Sequence, residues 1–299
     1  MKTVAKTNFP TKFIIIAPLD LNKALIKIKD QKIKHVDIEV DDSLDLSCKE
    51  SKDFLVGLLG NKETISIRVN NLQLTKNMGE VALALKEHKS LVSLDLTGCD
   101  LGAEEIQLLT ESLDLHNSLG TLVLDSNKIG KNGTPAIATL LNTVPNLSYL
   151  NLSSVSITAE EVKKLVDLIK YPVNLSHLKL SNNFIGDGGV ESLTTLIGLM
   201  PNLTSLNLKN CGFGSEGIKS LSVALGSNQV NFFKASVICK ELSGPFFLIP
   251  KEVINYILHG LPIAVHSKLT QNFMELAAVV ESSDDNNTSL VGNIEEDTL

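Results

Sequence analysis

From Leu91 onward the chain repeats itself at a fixed interval, and no other feature restricts its fold so tightly. The segments LVSLDLTGCDLG (from Leu91), LGTLVLDSNKIG (from Leu119), LSYLNLSSVSIT (from Leu147), LSHLKLSNNFIG (from Leu175) and LTSLNLKNCGFG (from Leu203) each start 28 residues after the one before. A strict period of that length marks a stack of equivalent supersecondary units. Aromatic residues make up 4% of the 299 residues and tryptophan is absent, so aliphatic side chains, mostly leucine, must fill the core of that stack.

The order of residues inside one unit follows from physical demands. In LSHLKL the alternation around Leu178 and Leu180 predicts a short strand with one face inward. Asn183 then turns inward, where its amide reaches backbone groups of neighbouring coils; the equivalent positions hold Cys99, Asn127, Val155 and Cys211. Gly186 allows the bend out of the turn, and Val190, Leu193 and Leu196 share one face of a following helix. A single strand–helix unit cannot bury both of its apolar faces. Neighbours must therefore stack, strand beside strand and helix beside helix.

The spacing L-x-x-L-x-L-x-x-N/C-x-L resembles the leucine-rich-repeat family, and the 28-residue length with glycines such as Gly133, Gly189 and Gly217 is similar to its ribonuclease-inhibitor-like subclass. The resemblance implies an α/β fold, a right-handed solenoid or horseshoe with parallel strands on the concave face and helices on the convex face. Weaker copies precede the clear ones: TISIRVNNLQL from Thr64 with one deletion, and HVDIEVDDSLDL from His35 more loosely. Residues 1–34 are expected to form an N-terminal cap, with Phe13 to Asp30 as its structured part, and residues 35–239 the repeats, closed by a last strand near Val230 to Ser236. Residues 240–280 then form a small C-terminal helical segment, and residues 281–299 a disordered acidic tail.

Strand alternation sends the residues between the leucines onto the concave face. The candidates for partner binding there are Asp37, Glu39, Arg68, Asp95, Asp125, Tyr149, Asn151, His177, Lys179, Asn207 and Lys209. Their charge runs from acidic at the N-terminal end to mildly basic at the C-terminal end, which would orient a partner and speed its approach. Tyr149 and His177, neighbours in this array, are the anchor candidates, since aromatic side chains dominate binding hot spots.

Other functions are disfavoured. The net charge is −7 and Arg68 is the only arginine, so the basic stripe of a nucleic-acid binder is missing. The six histidines are scattered and no metalloprotease, serine-hydrolase, P-loop or kinase signature occurs. We expect no enzymatic activity and no cofactor. Cys48, Cys99, Cys211 and Cys239 form no CxxC pair, which suits a reduced, intracellular protein; Cys99 and Cys211 fall at the inward ladder position and read as structural thiols. The acidic pairs Glu104–Glu105 and Glu160–Glu161 open repeat helices, where they complement the helix dipole. The sequons at Asn146, Asn174 and Asn202 read as by-products of the repeat. The apolar run Phe13 to Ala17 is too short for a signal-peptide core or a membrane span.

After about Lys240 the repeat stops. The string from Ile249 to Leu261, IPKEVINYILHGL, is similar to the opening of an F-box, whose helices dock on the adaptor of cullin-RING ubiquitin ligases. By that resemblance Pro250, Glu252, Val253, Ile257, Leu258 and Leu261 would carry the docking; the other reading is that these helices only cap the last coil. The tail carries six acids and no base. Leucine-rich and F-box-like pieces in a Lys-, Asn- and Ile-rich chain resemble bacterial effectors injected by type IV secretion. That resemblance implies a protein of a host cell as the partner, and the expected state is a monomer. A stoichiometric enzyme inhibitor of the ribonuclease-inhibitor kind is a further alternative.

Overall fold

In a computed structural model of the chain, strands and helices alternate along one continuous array, described for residues 12–16, 21–39, 49–214, 216, 217, 220 and 221. The order is β1 (Lys12–Ile16), α1 (Leu21–Asp30), β2 (His35–Glu39), α2 (Lys49–Leu59), β3 (Ser66–Asn70), α3 (Met78–Glu87), β4 (Ser93–Asp95), α4 (Ala103–Ser112) and β5 (Thr121–Val123). It continues through α5 (Gly130–Thr143), β6 (Tyr149–Asn151), α6 (Ala159–Leu168), β7 (His177–Lys179), α7 (Val190–Gly198) and β8 (Ser205–Asn207). Single turns of 3-10 helix, Thr75–Asn77 and Asp187–Gly189, lead into α3 and α7.

All eight described strands lie in one open parallel sheet in strict sequence order. Each helix packs on the helices before and after it, so every coil touches mainly its neighbours. Register follows the repeat: Leu94, Leu122, Leu150, Leu178 and Leu206 align across β4 to β8 and are all at most 2% exposed. The segment expected as an N-terminal cap includes β1, which pairs parallel with β2, followed by α1. The expected last strand at Val230 to Ser236, the helices of residues 240–280 and the acidic tail lie outside the described residues.

The turns after β3 to β8 show why the repeat reads as it does. Asn71, Gly98, Ser126, Ser154, Asn182 and Asn210 all have φ between 54° and 66°. That left-handed conformation suits glycine and asparagine and strains other residues by about 1–2 kcal/mol. It aims the next ladder residue inward. Asn183 Nδ2 donates to the carbonyl oxygens of Leu152 and Leu180, both at 2.8 Å, while its Oδ1 accepts from the N–H groups of Val155 (3.2 Å) and Ile157 (2.9 Å). Asn127 bonds Leu96, Leu124 and Leu101 in the same way. At Cys99 and Cys211 a thiol replaces the amide and donates to the carbonyls of Val69 and Leu180, each at 3.1 Å.

Two ways of starting a helix alternate along the middle of the array. Before α4 and α6, Glu105 and Glu161 fold back to accept the backbone N–H of Gly102 (2.9 Å) and Thr158 (3.2 Å). The second acid of each pair thus accepts the N-cap N–H, the glutamate half of a capping box and a more specific role than dipole compensation. In the intervening coils, Gly133 and Gly189 stand where those glutamates do. A Cβ on Gly133 would lie 2.6 Å from the Ile129 side chain and 3.5 Å from Ala103; on Gly189 it would lie 2.4 Å from Ile185 and 3.3 Å from Ala159. The glycines let these helix starts approach the preceding helix closely.

Candidate functional site

Strands β2 to β8 present their first and third residues to the concave face, and the hydrogen-bonded register sets them in rows. One row runs His35, Ser66, Ser93, Thr121, Tyr149, His177, Ser205; the next runs Asp37, Arg68, Asp95, Val123, Asn151, Lys179, Asn207. The small side chains in the first row leave a hollow between β3 and β6. It is a cavity of about 380 Å³ whose lining includes Asp37, Arg68, Asp95, Val123, Tyr149 and Asn151.

Arg68 organises the N-terminal side of this cavity. Its Nε lies 3.0 Å from Asp95 Oδ2 and its guanidinium 3.7 Å from Asp37 Oδ2, so one cation ties three adjacent strands. Asp95 is held from below as well: its Oδ1 accepts from the Thr97 N–H (3.1 Å) and hydroxyl (2.6 Å). Both carboxylates are largely shielded while Arg68 is about half exposed, so the cluster is partly desolvated and more than a screened surface contact.

On the C-terminal side the aromatic pair forms the opposite wall. The Tyr149 and His177 rings have centroids 5.9 Å apart at 30°, and Lys179 Nζ sits 5.7 Å from the Tyr149 centroid. His177 Nδ1 is 2.8 Å from the Ser176 hydroxyl. The structure therefore gathers Asp37, Arg68, Asp95, Tyr149 and Asn151 around one cavity, with His177 and Lys179 against its aromatic wall. Asp125, Asn207 and Lys209 lie on the same face outside the cavity lining. Asn151 is 9% exposed, its Oδ1 accepting from the Ser153 N–H and hydroxyl, and Asn207 makes the same bond to the Lys209 N–H. Glu39 ends β2, and its side chain is outside the described ones; Pro250, Glu252, Val253, Ile257, Leu258 and Leu261 lie wholly outside the described residues.

Burial pushes the Cys99 thiol up to about 12 and the Cys211 thiol to about 11, leaving both neutral and poor as nucleophiles at neutral pH. Among the described residues no group of three His, Cys, Asp or Glu side chains is placed to hold a metal ion. No helix of the described residues is long and apolar enough to cross a membrane.

One buried pair is not evident from the sequence. His88 and His116 follow α3 and α4, are fully buried, and meet where His116 Nε2–H donates to the His88 carbonyl oxygen. Among the described residues, neither ring nitrogen of His88 nor Nδ1 of His116 has a partner within full hydrogen-bond geometry. The signal that could have found them is their 28-residue separation, in line with apolar Val144 and Met200 in later coils.

Stacked strand, inward asparagine or cysteine, and helix define an α/β leucine-rich-repeat solenoid with an open polar concave face. The family described as Leucine Rich repeat matches the chain over residues 87–104, 172–193 and 200–222. Among solved structures, a protein from Bacteroides fragilis is 17% identical, with 70% of this chain and 71% of that one covered and a TM-score of 0.42. A chain of the TLR13–ssRNA13 complex is 14% identical, with 70% of this chain and 33% of that one covered and a TM-score of 0.34. No curated protein matches the chain.

Proposed function

We propose that the chain is a protein-interaction module without catalytic activity of its own, holding a partner protein against its concave face. The observation that carries this reading is the cavity between the Arg68 ion-pair cluster and the Tyr149–His177 pair. It joins fixed charges to aromatic anchors in the middle of the concave face, whose side chains take no part in coil-to-coil packing. Leucine-rich-repeat modules are generally of this kind. The finer reading is a bacterial effector, delivered by type IV secretion, that binds a protein of the host cytoplasm; composition and the acidic tail support it.

Affinity capture from eukaryotic cell lysate with the full chain tests the reading. A specific partner should be retained by the parent and lost by a Tyr149→Ala/His177→Ala variant of unchanged circular dichroism. Retention of the same partner by that variant would strip the two rings of their anchoring role.

A second reading rests on the F-box-like string from Ile249 to Leu261, which favours a substrate receptor recruiting a cullin-RING ubiquitin ligase. In the same experiment it predicts capture of the ligase adaptor by the parent and loss of the adaptor alone on Ile257→Asp/Leu258→Asp substitution. Absence of the adaptor from the parent's capture removes this reading and leaves the first untouched.

A further inference from the structure

We propose that a row of hydrogen-bond donors on β6 to β8 receives an aspartate or glutamate side chain carried on an extended segment of the partner; this rests on the reading of the concave face as the binding surface. The parallel register sets Asn151, Lys179 and Asn207 side by side on three adjacent strands, which lie about 4.8 Å apart. Both asparagine Oδ1 atoms are committed to the turns that follow their strands. Asn151 Oδ1 accepts the Ser153 N–H at 3.0 Å and its hydroxyl at 2.7 Å, and Asn207 Oδ1 accepts the Lys209 N–H at 3.0 Å. Each amide is thereby fixed with its Nδ2 hydrogens directed away from the turn.

Between these two amides stands a lysine that its own coil does not use for the turn. Lys179 has no acceptor to offer there, and its ammonium faces the Tyr149 ring, with Nζ 5.7 Å from the centroid. That contact offsets part of the charge but supplies no acceptor oxygen. Among the described residues no acceptor meets Asn151 Nδ2, Lys179 Nζ or Asn207 Nδ2. Lys209, exposed just beyond Asn207, adds a second ammonium without a carboxylate beside it. Of the acids on this face, Asp125 comes nearest along the sheet, and it follows β5, two strands before Lys179. Asp37 and Asp95 lie further off, with Arg68 between them.

A row made only of donors selects a ligand made only of acceptors. A carboxylate is such a group, and its bonds to an ammonium are roughly twice as strong as those between neutral partners. A glutamine side chain would bring N–H donors against the row, and an arginine or lysine would meet Lys179 as a like charge. Asn151 is 9% exposed, and Lys179 and Asn207 are half-buried, so the row is partly shielded from the water that weakens a surface contact. The stem of the incoming side chain also finds support. Val123 continues the row on the β5 side, and the Tyr149 and His177 rings line one flank.

The test is fluorescence anisotropy with the full chain at low ionic strength and two labelled twelve-residue peptides of Gly, Ser and Thr, one carrying three glutamates and the other three glutamines in their place. The chain carries −7 overall, so retention of the acidic peptide cannot come from net charge. The parent should bind the glutamate peptide about tenfold more tightly than the glutamine peptide. Lys179→Gln should weaken glutamate-peptide binding by about the same factor. Asn207→Asp replaces a donor with an acid but keeps the turn, as Asp95 shows by accepting the Thr97 N–H at 3.1 Å, and should weaken it at least as much. Lys163→Gln, which removes the same charge from α6, should leave binding within about twofold. Equal binding of the two peptides, glutamate-peptide binding unaffected by Lys179→Gln and Asn207→Asp, or tighter binding of a labelled oligothymidylate overturns the proposal. So does binding of neither peptide, the result expected if the chain's own acidic tail filled the row. Each of those outcomes leaves the concave-face reading to stand or fall on partner capture.

Discussion

Single side chains carry much of what separates this chain from a generic stack of leucines. Asn183 satisfies two carbonyls and two N–H groups inside the solenoid, and Asn183→Ala leaves several of these buried and unpaired. Each orphan costs about 1–3 kcal/mol, so the substitution should destabilise the fold by roughly 3 kcal/mol or more in urea unfolding. The side chain of Val155, at the same place one coil earlier, makes no such bonds, and Val155→Ala should cost about 1–2 kcal/mol through lost packing alone.

The buried histidines give stability a pH dependence of known sign. Burial holds His88 and His116 below their ordinary range; the charge of His116 adds to this at His88 and that of Lys89 at His116. The unfolded chain, titrating near its ordinary value of about 6.5, therefore binds protons that the folded chain refuses. Stability from this source is complete above about pH 6.5 and is lost as pH falls through the depressed folded values. The urea midpoint should drop between about pH 7.5 and pH 5. A His88→Met/His116→Met variant, with the side chain that Met200 supplies at that place in its own coil, should show a flatter profile over that window. Asn183 is legible in the sequence because asparagine recurs in the repeat. The histidines are not, because a histidine replacing an apolar residue looks like a surface residue until its position is compared across coils.

At the scale of the element, the close approach of helix starts depends on glycine. Gly189→Ala places a methyl group 2.4 Å from the Ile185 side chain and 3.3 Å from Ala159. Relief requires the 3-10 turn Asp187–Gly189 to move off α6, at about 1–3 kcal/mol. The urea midpoint should fall accordingly, whereas Gly188→Ala, with open space at its Cβ, should be nearly neutral. Strand positions and inward leucines can be read directly, since the period of 2 in each strand and the period of 28 along the chain agree. The partnership of Arg68 with Asp37 and Asp95 cannot. Separations of 31 and 27 residues place the three on neighbouring strands, but only side-chain geometry decides which carboxylates the guanidinium joins.

The whole molecule is a one-dimensional array in which core and candidate site are separated by a single strand's thickness. Inward aliphatic residues, leucines from β4 to β8, hold coil to coil, and the other side is released from packing and carries charge, aromatic rings and a cavity. Helices occupy the opposite surface with ordinary polar side chains such as Lys131 and Lys163. That division lets the binding face be located whatever the partner is. In the captured complex, lysines should be acetylated briefly and the extent of labelling read by mass spectrometry against the free chain. Binding on the concave face predicts that Lys179 and Lys209 lose reactivity in the complex while Lys131 and Lys163 keep theirs. Protection of the helix lysines with full labelling of Lys179 and Lys209 would contradict it and move the binding surface to the convex side.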